Sequence, residues 1–248
     1  MIRRLVLIGL VSACSSASKA QLDGGAGRDA ASDAEIGNDA IDGAEAYRHT
    51  IAIDGTDDFT ASETFGTTSA AFGARLAWDA TNVYLGYAGP DLDPAAPQTA
   101  TKWLFAYIDV DPGAATGATT SQTYRTQAAT FPTGFGAEYY VRWKCDGSLV
   151  SIEQHQAGGT WTSVAVPASG RAGTFLELAI PRTTLGATTS VGVVSWMINE
   201  ADGLEASYAG LYAGNFTDGY AMTLPLTKYV KADLTSSRVP NDPANQSP

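Results

Sequence analysis

Between residues 47 and 235 the chain alternates apolar and polar positions in short runs. Phe72, Ala74, Leu76 and Trp78 take every second position, and after the turn Asp79-Ala80-Thr81 the alternation resumes over residues 82–87. A period of two marks a strand with one buried face. Further β-rich runs cover 103–110, 137–144, 149–154, 160–164, 175–180 and 191–199. Turn clusters divide them: Asp146-Gly147, Ala157-Gly158-Gly159, Ser169-Gly170 and Asp202-Gly203. No segment sustains a 3.6-residue period. Only residues 181–186, opening on Pro and closing on Gly, read as a single helical turn. The pattern predicts an all-β domain, a jelly-roll-like β-sandwich, without internal repeats.

The flanks follow other rules. Arg3 and Arg4 precede an apolar run from Leu5 to Val11, then Ser12, Ala13 and Cys14. Charge, a short apolar stretch and small residues make residues 1–13 a secretory signal, too short to span a bilayer. Val11-Ser12-Ala13-Cys14 resembles a bacterial lipobox, which implies cleavage before Cys14 and acylation of its thiol. By the same resemblance Ser15, in place of Asp, implies sorting to the outer membrane. Residues 14–46 carry Ala, Gly and scattered Asp without a hydrophobic period and read as a disordered tether spanning roughly 30 Å. Residues 236–248 read as a loose tail.

Composition narrows the function classes. With 15 basic and 26 acidic residues the net charge is −11. That balance argues against nucleic acid, and leaves the membrane contact to the N-terminal lipid. With Cys14 lipidated, Cys145 stands alone and reads as a structural thiol. There is no Gly-x-Ser-x-Gly, Walker or His-Glu-x-x-His motif, and His49 and His155 are the only histidines. Glu138 and Glu177 are the carboxylates to consider for glycoside hydrolysis, although each fits a solvent-facing strand position. The sequence leaves catalysis open and favours a non-enzyme.

Candidate chemistry gathers on one strand. If Leu104, Ala106, Ile108 and Val110 face the core, Trp103, Phe105, Tyr107 and Asp109 share the opposite face. Such a row can stack sugar rings, with Tyr140, Asp109 and Arg142 beside it as polar contacts. The alternatives are a strand covered on both faces, or a row lying under residues 111–136. Trp78, Trp143 and Trp196 read as core, and Trp161 sits at a hairpin edge. Asp109 and Asp111, two apart, point the same way and with Asp57 could supply oxygen ligands to calcium. Strand-end aspartates bonding turn backbone are the competing explanation.

Four pieces occur in a recognisable order: Ile53-Asp54-Gly55-Thr56-Asp57-Asp58-Phe59; the hairpin Leu76-Ala77-Trp78-Asp79-Ala80-Thr81-Asn82-Val83-Tyr84-Leu85-Gly86-Tyr87; residues 103–113, a strand ending in the alternate aspartates Asp109 and Asp111; and Phe175-Leu176-Glu177-Leu178-Ala179-Ile180-Pro181. Over roughly residues 50–228 this order resembles the DOMON-like sandwiches that include family 9 carbohydrate-binding modules. The resemblance implies a β-sandwich with structural calcium, and a sugar-chain end held between two Trp. No Trp pair of this chain is matched to those two. Some relatives bind haem through Met and His, which points to Met197, Met222 and His155 as axial candidates, a weaker reading here. The expectation is a monomeric, lipid-anchored, non-catalytic module for a polysaccharide or oligosaccharide. A surface interaction lipoprotein without a small ligand is the alternative.

Overall fold

The computed structural model describes residues 45–248 apart from 115, 201–204 and 248. The signal, Cys14, nearly all of the tether and the Asp202-Gly203 turn lie outside the described residues.

The described strands, in chain order, begin with β1 (Thr64–Gly66), β2 (Gly73–Trp78), β3 (Asn82–Ala88), β4 (Lys102–Asp109) and β5 (Ala128–Thr130). Next come β6 (Tyr139–Lys144), β7 (Val150–His155), β8 (Trp161–Ala165), β9 (Ala168–Ala172) and β10 (Phe175–Pro181). The last are β11 (Ser190–Asn199), β12 (Ala206–Tyr208), β13 (Gly219–Tyr220), β14 (Thr223–Pro225) and β15 (Val230–Asp233). They form a smaller antiparallel sheet in the order β1-β2-β3-β10-β9 and a larger one in the order β13-β12-β11-β4-β6-β7-β8. β15 joins the larger sheet beside β11, and β14 and β5 make a separate parallel pair. The fold is an all-β sandwich, and each long strand expected from the alternation is present.

The sheets meet over the core that the period of two marks out. Leu76, Trp78, Val83, Leu85, Leu176, Leu178 and Ile180 come from the smaller sheet, and Leu104, Ala106, Ile108, Val141, Trp143, Val193 and Met197 from the larger. A second cluster lies on the outer face of the larger sheet. There Trp103, Phe105, Tyr107, Tyr140, Val194, Trp196 and Ile198 are covered by Ala129, Phe135, Leu224, Leu226 and Tyr229. Residues 111–136, with the β14 region, thus form a third layer over part of that face, and the layer defines the edge of the candidate site.

Two expectations change. Residue 181 ends β10 and residues 182–187 form consecutive turns, with the Ala187 amide returning to the Arg182 carbonyl at 2.7 Å. The tail is not loose: Asn241 donates to the carbonyls of Ala61 and Thr64, and Ser247 exchanges hydrogen bonds with the backbone of Tyr229. Its polar composition conceals the contacts because they are made by amide and hydroxyl groups, which satisfy backbone atoms without apolar periodicity.

Candidate functional site

The aromatic row is where the alternation put it but is not an open platform. Trp103 is 8%, Phe105 2%, Tyr107 1% and Tyr140 2% exposed. Tyr107 is stacked between Tyr140, at 4.3 Å between ring centroids, and Trp196 at 5.5 Å. Its hydroxyl accepts from the Gln122 amide at 3.1 Å. These rings are therefore a covered core, not a sugar-stacking surface. Phe131, Phe135 and Tyr124 seal them, and the cover has too little regular structure to be read from periodicity. Arg142 also leaves its expected role: its guanidinium pairs with Glu153 at 2.6 Å and meets Ser151 at 3.2 Å.

Where the cover ends, the face opens. A cleft of about 710 Å³ lies between residues 117–123 on one wall and His155, Gly159, Thr160 and Trp161 on the other. Trp161 is half-buried. Its ring rests edge-on against Tyr107 at 5.6 Å and Tyr140 at 6.0 Å, and His155 lies 5.0 Å away. The buried rings thus fix the indole from behind while part of it borders the cleft. Thr119, Thr120, Gln122, Thr123 and Thr160 line the cleft exposed. No Lys, Arg, Asp or Glu is among its lining residues. On the same face Glu153, paired with Arg142, precedes His155 by two residues, about 7 Å along the strand.

Sequence reasoning left Trp161 at a hairpin edge. One signal was available: Trp161 alternates with Ser163 and Ala165 and not with large apolar residues, so it has no core row of its own.

A separate acidic group stands where the covering layer leaves β4. Carboxylate oxygens of Asp109, Asp111 and Glu138 lie within 4.8 Å of one another. Asp109 is buried and accepts from the amides of Asp111 at 2.9 Å and Gly136 at 2.8 Å. Glu138 accepts from the Val110 amide at 3.0 Å, and the Thr116 hydroxyl reaches both Asp111 and Glu138. Burial pushes the Asp109 carboxyl up to about 6, with the Asp111 charge adding to the rise and the two amides opposing it. Burial also raises Glu138, with Asp109 and Asp111 contributing. Three converging carboxylates, with Asp109 and Glu138 raised, could hold a metal ion, and an all-oxygen donor set suits a hard cation. Asp57 is not among them: it pairs with Arg75 at 3.0 Å on the smaller sheet. Glu138 takes the third place, unforeseen because it lies 27 residues from Asp111 in the chain.

The remaining candidates are dispersed. Glu177 is fully buried and accepts from the amides of Asp54 and Gly55. It is in the smaller sheet, so it makes no catalytic pair with Glu138. Gly55 is required there: its φ is +89°, and a Cβ would meet the backbone of Arg171 and Ala172 at 2.7 Å. Met197 is buried between the sheets, Met222 is 67% exposed and His155 borders the cleft, so the haem candidates do not converge. The Cys145 thiol is buried and pushed up to about 12 by burial.

No protein-family model matches the chain, and no curated protein does. A similar solved structure was found. It is a family 9 carbohydrate-binding module from Caldicellulosiruptor kristjanssonii, in complex with cellotriose. The two are 12% identical, with a TM-score of 0.38, over 73% of this chain and 91% of that one.

Proposed function

We propose that the domain binds a carbohydrate without transforming it, in the cleft bordered by Trp161. The observation that carries this reading is a partly exposed indole, backed by two buried tyrosines, beside a cleft lined with hydroxyl and amide groups. A pyranose ring has an apolar C–H face for the indole and edge hydroxyls for threonine and glutamine partners. Tyr107 and Tyr140 restrict Trp161, so little rotamer entropy is lost on binding. One stacked ring, with neutral hydrogen bonds of about 1 kcal/mol each, supports a Kd of about 10 μM to 1 mM. Glycoside hydrolysis needs two suitably spaced carboxylates. No acid lines this cleft, and Glu153 beside it is neutralised by Arg142, which supports binding alone.

Calcium at Asp109, Asp111 and Glu138 fits the reading as a structural ion. Thr116, which bonds two of the three acids, adjoins Gly117 at the start of the cleft wall, so an ion there would brace that wall. Acylation of Cys14 and attachment to the outer membrane rest on the sequence and belong to the same proposal.

The test is retention on a panel of soluble and insoluble polysaccharides, comparing the natural chain with Trp161→Ala. We expect saturable retention of the natural chain and at least a tenfold loss in the variant. Because Trp161 is only half-buried, the variant is expected to remain folded, which circular dichroism checks. Absence of retention across the panel would favour a surface interaction protein.

A further inference from the structure

The basic residues of this acidic chain are unevenly satisfied. Arg75, Lys102, Arg125, Arg142 and Lys144 each pair with a carboxylate. Among the described residues Arg48 and Arg182 make no such pair, yet they lie close enough that the charge of Arg48 acts on Arg182. Both guanidiniums bond backbone carbonyls of adjoining segments. Arg48 donates to Leu234 at 2.7 Å, and Arg182 donates to Thr188 at 2.8 Å and Asp79 at 3.2 Å. The Leu234 amide in turn bonds the Thr189 carbonyl at 2.8 Å, which brings the two grips together.

A cavity of about 380 Å³ adjoins Arg182, between the β2–β3 turn and the turns after β10, lined by Arg182, Thr81, Asn82 and Thr183 and by the apolar Ala80, Pro181 and Ala187. Asp79, the acid acting on Arg182, has its oxygens committed. One accepts from Thr81 and from the Asn82 amide, the other from the hydroxyls of Thr50 and Tyr84. The Thr183 side chain is exposed and makes no hydrogen bond among the described residues, so its hydroxyl is a free donor at the cavity. Two neighbouring cations in no direct ion pair, with the nearby Asp79 held by other donors, and a free hydroxyl donor beside a concave space are the elements of an oxyanion site. A guanidinium fork matches phosphate geometry, and partial burial strengthens the attraction over that in bulk water.

We infer that the cavity lined by Arg182 and Thr183, with Arg48 beside it, binds a phosphate-class oxyanion. This site lies by the smaller sheet and is independent of the Trp161 cleft. The phosphate could belong to a lipid headgroup or to a free phosphate, since the donors read only the oxyanion.

The test uses the full chain with Cys14→Ser, so that no acyl group contributes. Titration calorimetry with inorganic phosphate, at ionic strength held constant with sodium chloride, is run on this protein and on Arg48→Gln and Thr183→Ala. Arg48 and Thr183 are exposed, so both variants should fold even if Arg182 variants do not. Saturable binding weakened at least fivefold in each variant supports the site. No saturable binding, or equal binding in the variants, overturns it. Vesicles of phosphatidylglycerol and of phosphatidylcholine separate the sources. Arg48-dependent binding to the anionic vesicles, displaced by phosphate, assigns a headgroup, and phosphate binding without vesicle binding assigns a free phosphate.

Discussion

Asp109 gives the most quantitative test of the acidic group. Its carboxyl is raised from 3.8 to about 6 by burial and by its acidic neighbour. A carboxyl with a raised folded pKa stabilises the fold while it is protonated. Its contribution is complete below about pH 4 and is lost as pH rises through 6. At 1.36 kcal/mol per pKa unit, the cost of holding Asp109 ionised at neutral pH is about 3 kcal/mol. Glu138 shifts in the same direction and adds to the slope. Asp79, Asp146 and Asp233 are lowered, so their losses fall below pH 4, outside this window. Urea unfolding in EDTA should therefore show stability falling by about 2–4 kcal/mol between pH 4.5 and 7.5. Asp109→Asn should flatten most of that fall, since an amide does not titrate. A divalent cation should restore stability at pH 7.5 and do little at pH 4.5, where Asp109 holds a proton. At one hundred times its Kd the gain is about 2.7 kcal/mol. The same slope in Asp109→Asn as in the natural chain would refute the assignment of the penalty to Asp109. A pH slope that no divalent cation alters would falsify the metal reading alone.

Three further outcomes follow from the packing. Trp103→Ala removes a ring buried against Phe105 and Tyr124 and should cost about 3–5 kcal/mol, read as a lower urea midpoint. An unchanged midpoint would return Trp103 to the surface. Gly136→Ala would set a Cβ 1.8 Å from the Thr116 carbonyl oxygen, so it should displace the covering layer and lower thermal stability together with any cation response. Cys145, with its thiol raised to about 12, should resist a thiol-specific disulfide reagent at pH 8 in the native protein and react within minutes in urea.

The sandwich was legible because its information is local. Leu104, Ala106 and Ile108 point one way and Trp103, Phe105 and Tyr107 the other whatever lies beyond, so alternation alone places both rows correctly. Whether the second row meets sugar or protein depends on residues 111–136. That segment is held by scattered contacts, among them Ala118 with Ala137 and the Gln122 amide on Tyr107. Such contacts leave no periodic trace. A strand between two others, covered on both faces, carries apolar or aromatic side chains at consecutive positions. Trp103 to Ile108 reads that way without a gap, and this was the available sign that the aromatic row is buried.

The candidate site is harder to read because it forms at the limit of a layer. Trp161 belongs to an edge strand whose outward residues are otherwise Thr, Ser and Val, and its partners Tyr107 and Tyr140 come from two other strands. The acidic group was half visible for the same reason. Asp109 and Asp111 share a direction by the period of two, whereas Glu138 reaches them only because β6 pairs with β4 in a register that sets Tyr139 opposite Ile108. That pairing joins the two candidate functions physically. The turn bearing Thr116 bonds the acids, and the next residues are the wall of the Trp161 cleft, so the acids and the stacking ring meet one segment from opposite ends. If sugar retention proves cation-dependent, this segment is the connection that physics supplies, and Thr116→Ala should weaken the dependence while leaving Trp161 in place.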